Sequence, residues 1–254
     1  MNPPFAFLMK STRILMGMPI TVEILDSDDE SLVESVFAYF AHIDETFSTY
    51  KDTSEISAIN AGRIALNSAS AEMRAVFAMA EQTRQETDGY FNIWRGDRYD
   101  PAGIVKGLAI ANAAEIVRRA GCANFYVDAG GDIEAAGRNA EGQPWRVGIR
   151  NPFDIRQIVK VLSISDCGLA TSGTYIRGQH VYNPYMPGQP ITDIVSLTVI
   201  GPNVYEADRF ATAAFAMGRY GIMFIEQLAD FEGYMIDANG QATPTSGFGR
   251  YVIS

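Results

Sequence analysis

The chain has 254 residues, 47% of them apolar and 20% charged, which is the make-up of a globular protein with a real core rather than a disordered or fibrous chain. Its formal net charge of −10 argues against nucleic-acid binding, which uses a basic face, and means that an anionic ligand needs local cations or a metal to offset the field. The two cysteines, Cys122 and Cys167, form no CxxC pair and have no His-rich neighbourhood, so they read as reduced core thiols and not as a zinc site.

Residues 13–25 alternate around Met16, Met18, Ile20, Val22 and Ile24, which predicts one half-buried strand. Asp26, Ser27 and Asp28 offer cap oxygens for a long amphipathic helix burying Leu32, Val33, Val36, Phe37, Phe40, Ile43 and Phe47. Residues 48–69 are polar and irregular. Ser68 or Ser70 caps a second helix, with Met73, Val76, Phe77 and Ala80 inward, ending near Thr87-Asp88-Gly89. Residues 90–102 read as loop, and a third helix runs from about Gly103 to Ala120, stopped by Gly121. Strand signals follow at Phe125–Val127, Trp145–Arg150 and Val159–Ser165, with turns at Gly130-Gly131 and 139–142. Residues 166–191, rich in Gly, Pro, Tyr and Ser, read as a long functional loop. A strand over 193–200, helices near 206–217 and 222–228, and closing strands over 233–237 and 248–253 complete an α+β chain with a mixed or antiparallel sheet.

Several stretches carry chemistry. Asp208 and Thr212 stand one helical turn apart, so a carboxylate and a hydroxyl share a face and can offer two hard oxygens to magnesium; a capping role for Asp208 fits the same spacing. In Asp100-Pro-Ala-Gly103-Ile-Val-Lys106-Gly107, a loop enters a helix whose N-terminus favours phosphate, and Lys106 is a cation where the helix dipole disfavours one. That pattern suits an anionic ligand or a solvated lysine, and it is not a Walker loop. Gly130-Gly131-Asp132 follows a strand without the GxGxxG fingerprint, and reads more simply as a tight turn with acidic flanks. Residues 170–184 gather Thr171, Ser172, Thr174, Arg177 and His180, a set suited to holding a phosphate and moving a proton, without a nucleophile elbow. Tyr50 is placed to stack on an aromatic ligand or to anchor a helix end.

The order of these stretches resembles the ApbE-like FAD:protein FMN transferases over nearly the whole chain. The matching segments are Met16-Gly17, Ser48-Thr-Tyr50 with Ser54-Glu55-Ile-Ser57 and Asn60, Thr87-Asp-Gly89-Tyr-Phe91, Asp100 to Gly107, Gly130-Gly131-Asp132, Ala170-Thr-Ser-Gly173 with Tyr175, His180 with Pro184, and Ala207-Asp208 to Ala213. The resemblance implies an α+β fold of packed helices and mixed or antiparallel sheets, two intimate lobes with FAD in the cleft between them, and a single domain over residues 1–254. It implies Asp208, Thr212 and the Gly103 carbonyl as magnesium ligands. Met16, Tyr50, Tyr90, Phe91, Asn92, Asp100, Lys106 and Val181 fall at FAD-contacting positions, and Ser172 and His180 lie in a further loop motif of the site. The implied reaction moves FMN from FAD onto a Thr or Ser hydroxyl of an acceptor protein and releases AMP, with His180 or Asp208 as the candidate base.

This chain departs from the family pattern at Ala111, where an acidic residue is usual, at Asn92, where Asp is usual, and at Met18, where Thr is common. The linker from Phe91 to Asp100 is short, and the loop after Pro184 is one residue longer than usual. Two other readings share the same residues: an FAD pyrophosphatase, in which water replaces the protein hydroxyl, and a non-catalytic flavin carrier. No segment reaches the ~20 apolar residues of a membrane helix, and no leader pattern or lipid-carrying cysteine opens the sequence, so the expectation is a cytoplasmic protein without membrane insertion.

Overall fold

The computed structural model describes residues 8–174 and 181–253. In chain order the elements are β1 (Met9–Leu15), β2 (Met18–Ile24), α1 (Glu30–Phe47), α2 (Glu55–Asn60), α3 (Ala71–Glu86), α4 (Ala102–Arg119), β3 (Phe125–Ala129), β4 (Asp132–Ala136), β5 (Trp145–Asn151), β6 (Asp154–Ile164), β7 (Cys167–Gly173), β8 (Ile194–Gly201), α5 (Val204–Ala216), α6 (Gly221–Glu226), β9 (Glu232–Asp237) and β10 (Ala242–Pro244). Eight strands form one sheet in the order β1-β2-β3-β4-β7-β8-β9-β10, antiparallel at every pairing, and β5 and β6 form a separate hairpin.

Period-two alternation decides which side of the sheet each residue serves. On β7, β8 and β9, Ala170, Leu197, Val199 and Met235 pack beneath α5 and α6, while their neighbours Leu169, Ile200, Tyr234 and Ile236 face the β5–β6 hairpin through Trp145, Val147, Leu162 and Ile164. On β2 and β3, Ile20, Val22, Phe125 and Val127 join α1, α3 and α4 in the largest core cluster. The inward face of α1 is the expected one, Leu32, Val33, Val36, Phe37, Phe40, Ile43 and Phe47. Full burial of side chains of this size stabilises by about 1.5–3 kcal/mol each, so α1 is held by its stripe rather than by propensity.

Several boundaries differ from the sequence reading, each for a local reason. The single strand over 13–25 is a hairpin, because Met16 and Gly17 both take positive φ (52° and 71°) and reverse the chain between β1 and β2. The cap of α1 is Asp29, whose Oδ1 accepts the Ser31 N–H at 2.9 Å, whereas Asp26 instead receives the Ala123 and Asn124 N–H groups. Within 48–69 lies α2, capped by Ser54, and of the two cap candidates for α3 it is Ser70 that receives the Met73 N–H at 3.1 Å. Phe77 is half-buried rather than inward. The loop expected over 166–191 begins with strand β7, since Cys167 to Gly173 is small and apolar enough to lie inside the sheet. Gly168 there has no room for a side chain, because a Cβ would fall 1.9 Å from the Val204 amide. Strand β4 was hidden by its short, Ala-rich sequence, and 248–251 is a 3-10 turn with Val252 bridging to Leu162 rather than a closing strand.

Candidate functional site

Helices α4 and α5 lie side by side at the head of the site, and two glycines set how closely they approach. A Cβ at Gly107 would sit 2.7 Å from Asp208 Cβ and 3.0 Å from the Val204 carbonyl, and one at Gly103 would sit 3.1 Å from Thr212 Cγ2. Only bare backbone lets the start of α4 rest against the face of α5 that carries Asp208 and Thr212. Asn203 caps α5 by accepting the Glu206 N–H at 3.0 Å, so Asp208 is released from capping and turns to α4.

Asp208 is 2% exposed. Its Oδ2 accepts the Gly107 N–H at 2.8 Å and its Oδ1 lies 3.5 Å from Lys106 Nζ. Lys106 also pairs with Asp132, which opens β4 after the Gly130-Gly131 turn. Asp132 Oδ1 accepts the Thr171 N–H at 3.0 Å, and its Oδ2 has the lysine as ion-pair partner without a hydrogen bond among the described residues. One ammonium thus faces two buried carboxylates. Desolvation pushes the Asp208 carboxyl up to about 7; Lys106 pulls it down, and Asp132 pushes it further up. The lysine that looked misplaced at a helix N-terminus is held there by carboxylates, and its position by itself does not signal an anionic ligand.

In front of this cluster opens a cleft of about 640 Å³, within the ~300–1,000 Å³ range of small-molecule sites. Met16 and Tyr50 line it from the β1–β2 turn and the end of α1; Tyr90, Phe91, Asn92 and Asp100 from the α3–α4 connection; Gly103 and Lys106 from α4; Ser172 and Val181 from β7 and the segment after it; Asp208 and Thr212 from α5. These residues and Thr171 therefore line one cavity, whereas Thr174 and Asp132 are not among its lining. His180 lies outside the described residues, as do Tyr175 and Arg177.

The walls are held from behind. Thr87 is buried, donates to the Thr83 carbonyl at 2.7 Å and accepts the Phe91 N–H at 3.1 Å, which fixes how the chain leaves α3. Buried Arg209, next to Asp208, pairs with Glu86 and Glu206 and ties α5 to the end of α3. The Tyr182 hydroxyl donates to the Asn92 and Trp94 carbonyls at 2.8 Å, and Arg95 lies 4.6 Å over the Tyr182 ring. Tyr50, by contrast, is 97% exposed at the rim.

Arg95, Arg98 and Tyr182 carry no signal of a site role in the sequence, and Asp132 reads there as the flank of a turn. Asp132 was visible as the last residue of Gly130-Gly131-Asp132, but its link to Lys106 depends on β4 pairing with β7 and has no local signal. Arg95 and Arg98 supply positive charge to the cleft of an acidic protein, and lie in the stretch read only as loop.

The donor set suits a hard divalent cation. Among the described residues no group of three His, Cys, Asp or Glu side chains is arranged to hold a metal. What α4 and α5 offer instead is one buried carboxylate and a hydroxyl one turn on, with the Gly103 backbone packed against that hydroxyl's residue, a sparse oxygen set of the kind magnesium completes with water and substrate phosphate.

Residues 16–100 and 95–235 match the model of the ApbE family. The FAD:protein FMN transferase of Salmonella typhimurium is 32% identical over 156 residues, which are 58% of this chain and 44% of that protein. The enzyme of the same name from Vibrio cholerae is 33% identical over 165 residues, 61% of this chain and 48% of that protein. The chain spans about half the length of these relatives. Among solved structures, the flavin transferase ApbE from Vibrio cholerae superposes with a TM-score of 0.82 at 21% identity, covering 96% of this chain and 99% of that one. The ApbE protein of Thermotoga maritima gives a TM-score of 0.85 at 18% identity, covering 98% and 100%. At such identities the superpositions establish the fold, an open antiparallel sheet with packed helices.

Proposed function

The chain belongs to the ApbE family, and on that premise we propose that it is an FAD:protein FMN transferase, moving FMN from FAD onto a Thr or Ser of an acceptor protein and releasing AMP. The observation that carries the proposal is the meeting of one aromatic-rimmed cleft with the Lys106–Asp132–Asp208 cluster at its head. FAD has the same division, a planar flavin at one end and a pyrophosphate in the middle. In the proposed pose the flavin rests among Met16, Tyr50, Tyr90 and Phe91, and the pyrophosphate reaches the start of α4, where the helix N-terminus favours negative charge and Lys106, shared with two carboxylates, lines the wall. Asn92, Asp100, Ser172 and Val181 complete the contacts.

Gly103 through its carbonyl, Asp208 and Thr212 would hold magnesium. Such an ion, when bound, neutralises phosphate oxygens and the charge that builds on a departing phosphate. The acceptor hydroxyl attacks the FMN-side phosphorus, the bond to the AMP phosphate breaks, and the hydroxyl proton passes to a base. His180, which precedes cleft-lining Val181 in the sequence, and Asp208 are the candidates for that base. A single domain over residues 1–254 is part of the same proposal.

Incubation of the protein with FAD, magnesium and a Thr-bearing acceptor peptide, read by mass spectrometry, tests the reading. An FMN adduct on the peptide with equimolar AMP is the expected result. Release of FMN and AMP with no adduct would assign the cleft to a pyrophosphatase, and intact FAD with every acceptor tried would assign it to a flavin carrier.

A further inference from the structure

The β5–β6 hairpin has a base and a tip that obey different rules. At the base, Trp145, Val147, Ile149, Leu162 and Ile164 are buried against the sheet, on the side opposite α5. At the tip the alternation stops, and residues 155–158 are exposed in succession, so both faces of that strand stand in solvent. Three exposed tip side chains are large and apolar: Phe153 at 58%, Ile155 at 53% and Ile158 at 49% exposure. Nothing polar in their own chemistry explains that placement.

The charge around them is also unlike the rest of the molecule. Arg146, Arg150, Arg156 and Lys160 lie in this hairpin against one carboxylate, Asp154, in a chain of net charge −10. Asp154 pairs with Arg156 at 3.0 Å, while Arg146, Arg150 and Lys160 make no salt bridge among the described residues. Arg150 reaches across the tip to donate to the Ile155 carbonyl at 3.2 Å, which keeps its guanidinium beside the apolar group.

We propose that this tip is a peripheral docking site for an anionic lipid surface, with Phe153, Ile155 and Ile158 entering the headgroup layer and Arg150, Arg156 and Lys160 meeting lipid phosphates. Three side chains at a hairpin end offer far less than the ~800 Å² per partner of a stable protein interface, whereas a fluid headgroup layer demands no matching shape. Aromatic and aliphatic groups flanked by cations are the composition that interfacial adsorption favours. Screening over about 8–10 Å lets the tip cations act locally although the remainder of the chain is acidic. No described helix is long and apolar enough to cross a membrane. None of the tip residues lines the cleft.

Co-sedimentation with phosphatidylglycerol-containing vesicles and with pure phosphatidylcholine vesicles, at low and high salt, tests the proposal. Binding is expected to the anionic vesicles only and to fall with salt. Charge reversal in Arg156→Glu/Lys160→Glu should reduce partition at least about tenfold. The double variant Phe153→Ser/Ile155→Ser should lose binding while FAD binding, followed by flavin fluorescence, stays at the wild-type value and confirms folding. Equal binding to both vesicle types, no binding to either, or unchanged binding by both variants would overturn the proposal. So would a tip variant that fails to label a soluble acceptor while vesicle binding is intact, because the tip would then be a protein-docking surface.

Discussion

The two ends of the cleft are built on opposite principles. At the head, the buried carboxyls of Asp132 and Asp208 share the half-buried Lys106, and glycines at 103 and 107 press their helices together. At the rim, Tyr50 is almost wholly exposed and touches little. The head holds its geometry whether or not a ligand is present, because moving any member strands a buried charge. The rim has no such constraint and is free to adapt to a flat ring. Stability is therefore invested where phosphate chemistry would occur, and the rim can change at small cost to folding.

Removing the cation of the head should have the largest effect. Lys106→Met leaves Asp132 and Asp208 buried without their ammonium, and we expect a loss of about 3–5 kcal/mol in denaturant unfolding, partly restored by added magnesium. No restoration would mean that a divalent cation does not reach these carboxylates. Gly107→Ala comes next, at about 1–3 kcal/mol by the same measurement, because its Cβ would press on Asp208 Cβ and the Val204 carbonyl. A neutral Gly107→Ala would show that α4 and α5 can separate cheaply, which would remove the contrast with the rim.

The head should also respond to pH in a definite direction. Burial raises the Asp208 carboxyl from 3.8 to about 7, so without a cation the native chain keeps a proton that the unfolded chain has lost. This group's contribution to stability is full below about pH 4 and is lost as pH rises toward 7. A cation needs the carboxylate form, so its binding releases a proton and strengthens across the same window. The magnesium-induced rise in melting temperature should therefore grow with pH between about 5 and 8, and Asp208→Asn should abolish that growth. The smallest effect belongs to the rim: Tyr50→Ala should change stability by less than about 0.5 kcal/mol and weaken FAD binding by less than about tenfold, read by fluorescence titration.

The same contrast governs what the sequence made legible. The stripe of α1 was readable residue by residue, because seven apolar side chains repeat at helical spacing. Much of the lining of the cleft, from Met16 to Thr212, was readable because it lies in short ordered motifs, whereas Arg95, Arg98 and Tyr182 carry no such signal. What escaped were relations between distant segments. Asp132 meets Lys106 only because β4 sits beside β7 and α4 crosses above, and no local pattern near Gly130-Gly131-Asp132 encodes that. The sequence of β7 reads as loop because Gly168 and its small neighbours lack the bulky alternation of a strand, although that smallness is what lets α5 approach. The turn at Met16-Gly17 was missed because an apolar Met rarely takes positive φ.

In the proposed reaction the head of the cleft performs the transfer and the rim holds the flavin. Its most direct test is Asp208→Asn, assayed side by side for FAD binding by flavin fluorescence and for FMN adduct formation on an acceptor by mass spectrometry. The account predicts that FAD still binds while adduct formation falls at least about a hundredfold, since the lost carboxylate is the one charged ligand assigned to magnesium. Adduct formation at the wild-type rate would contradict it.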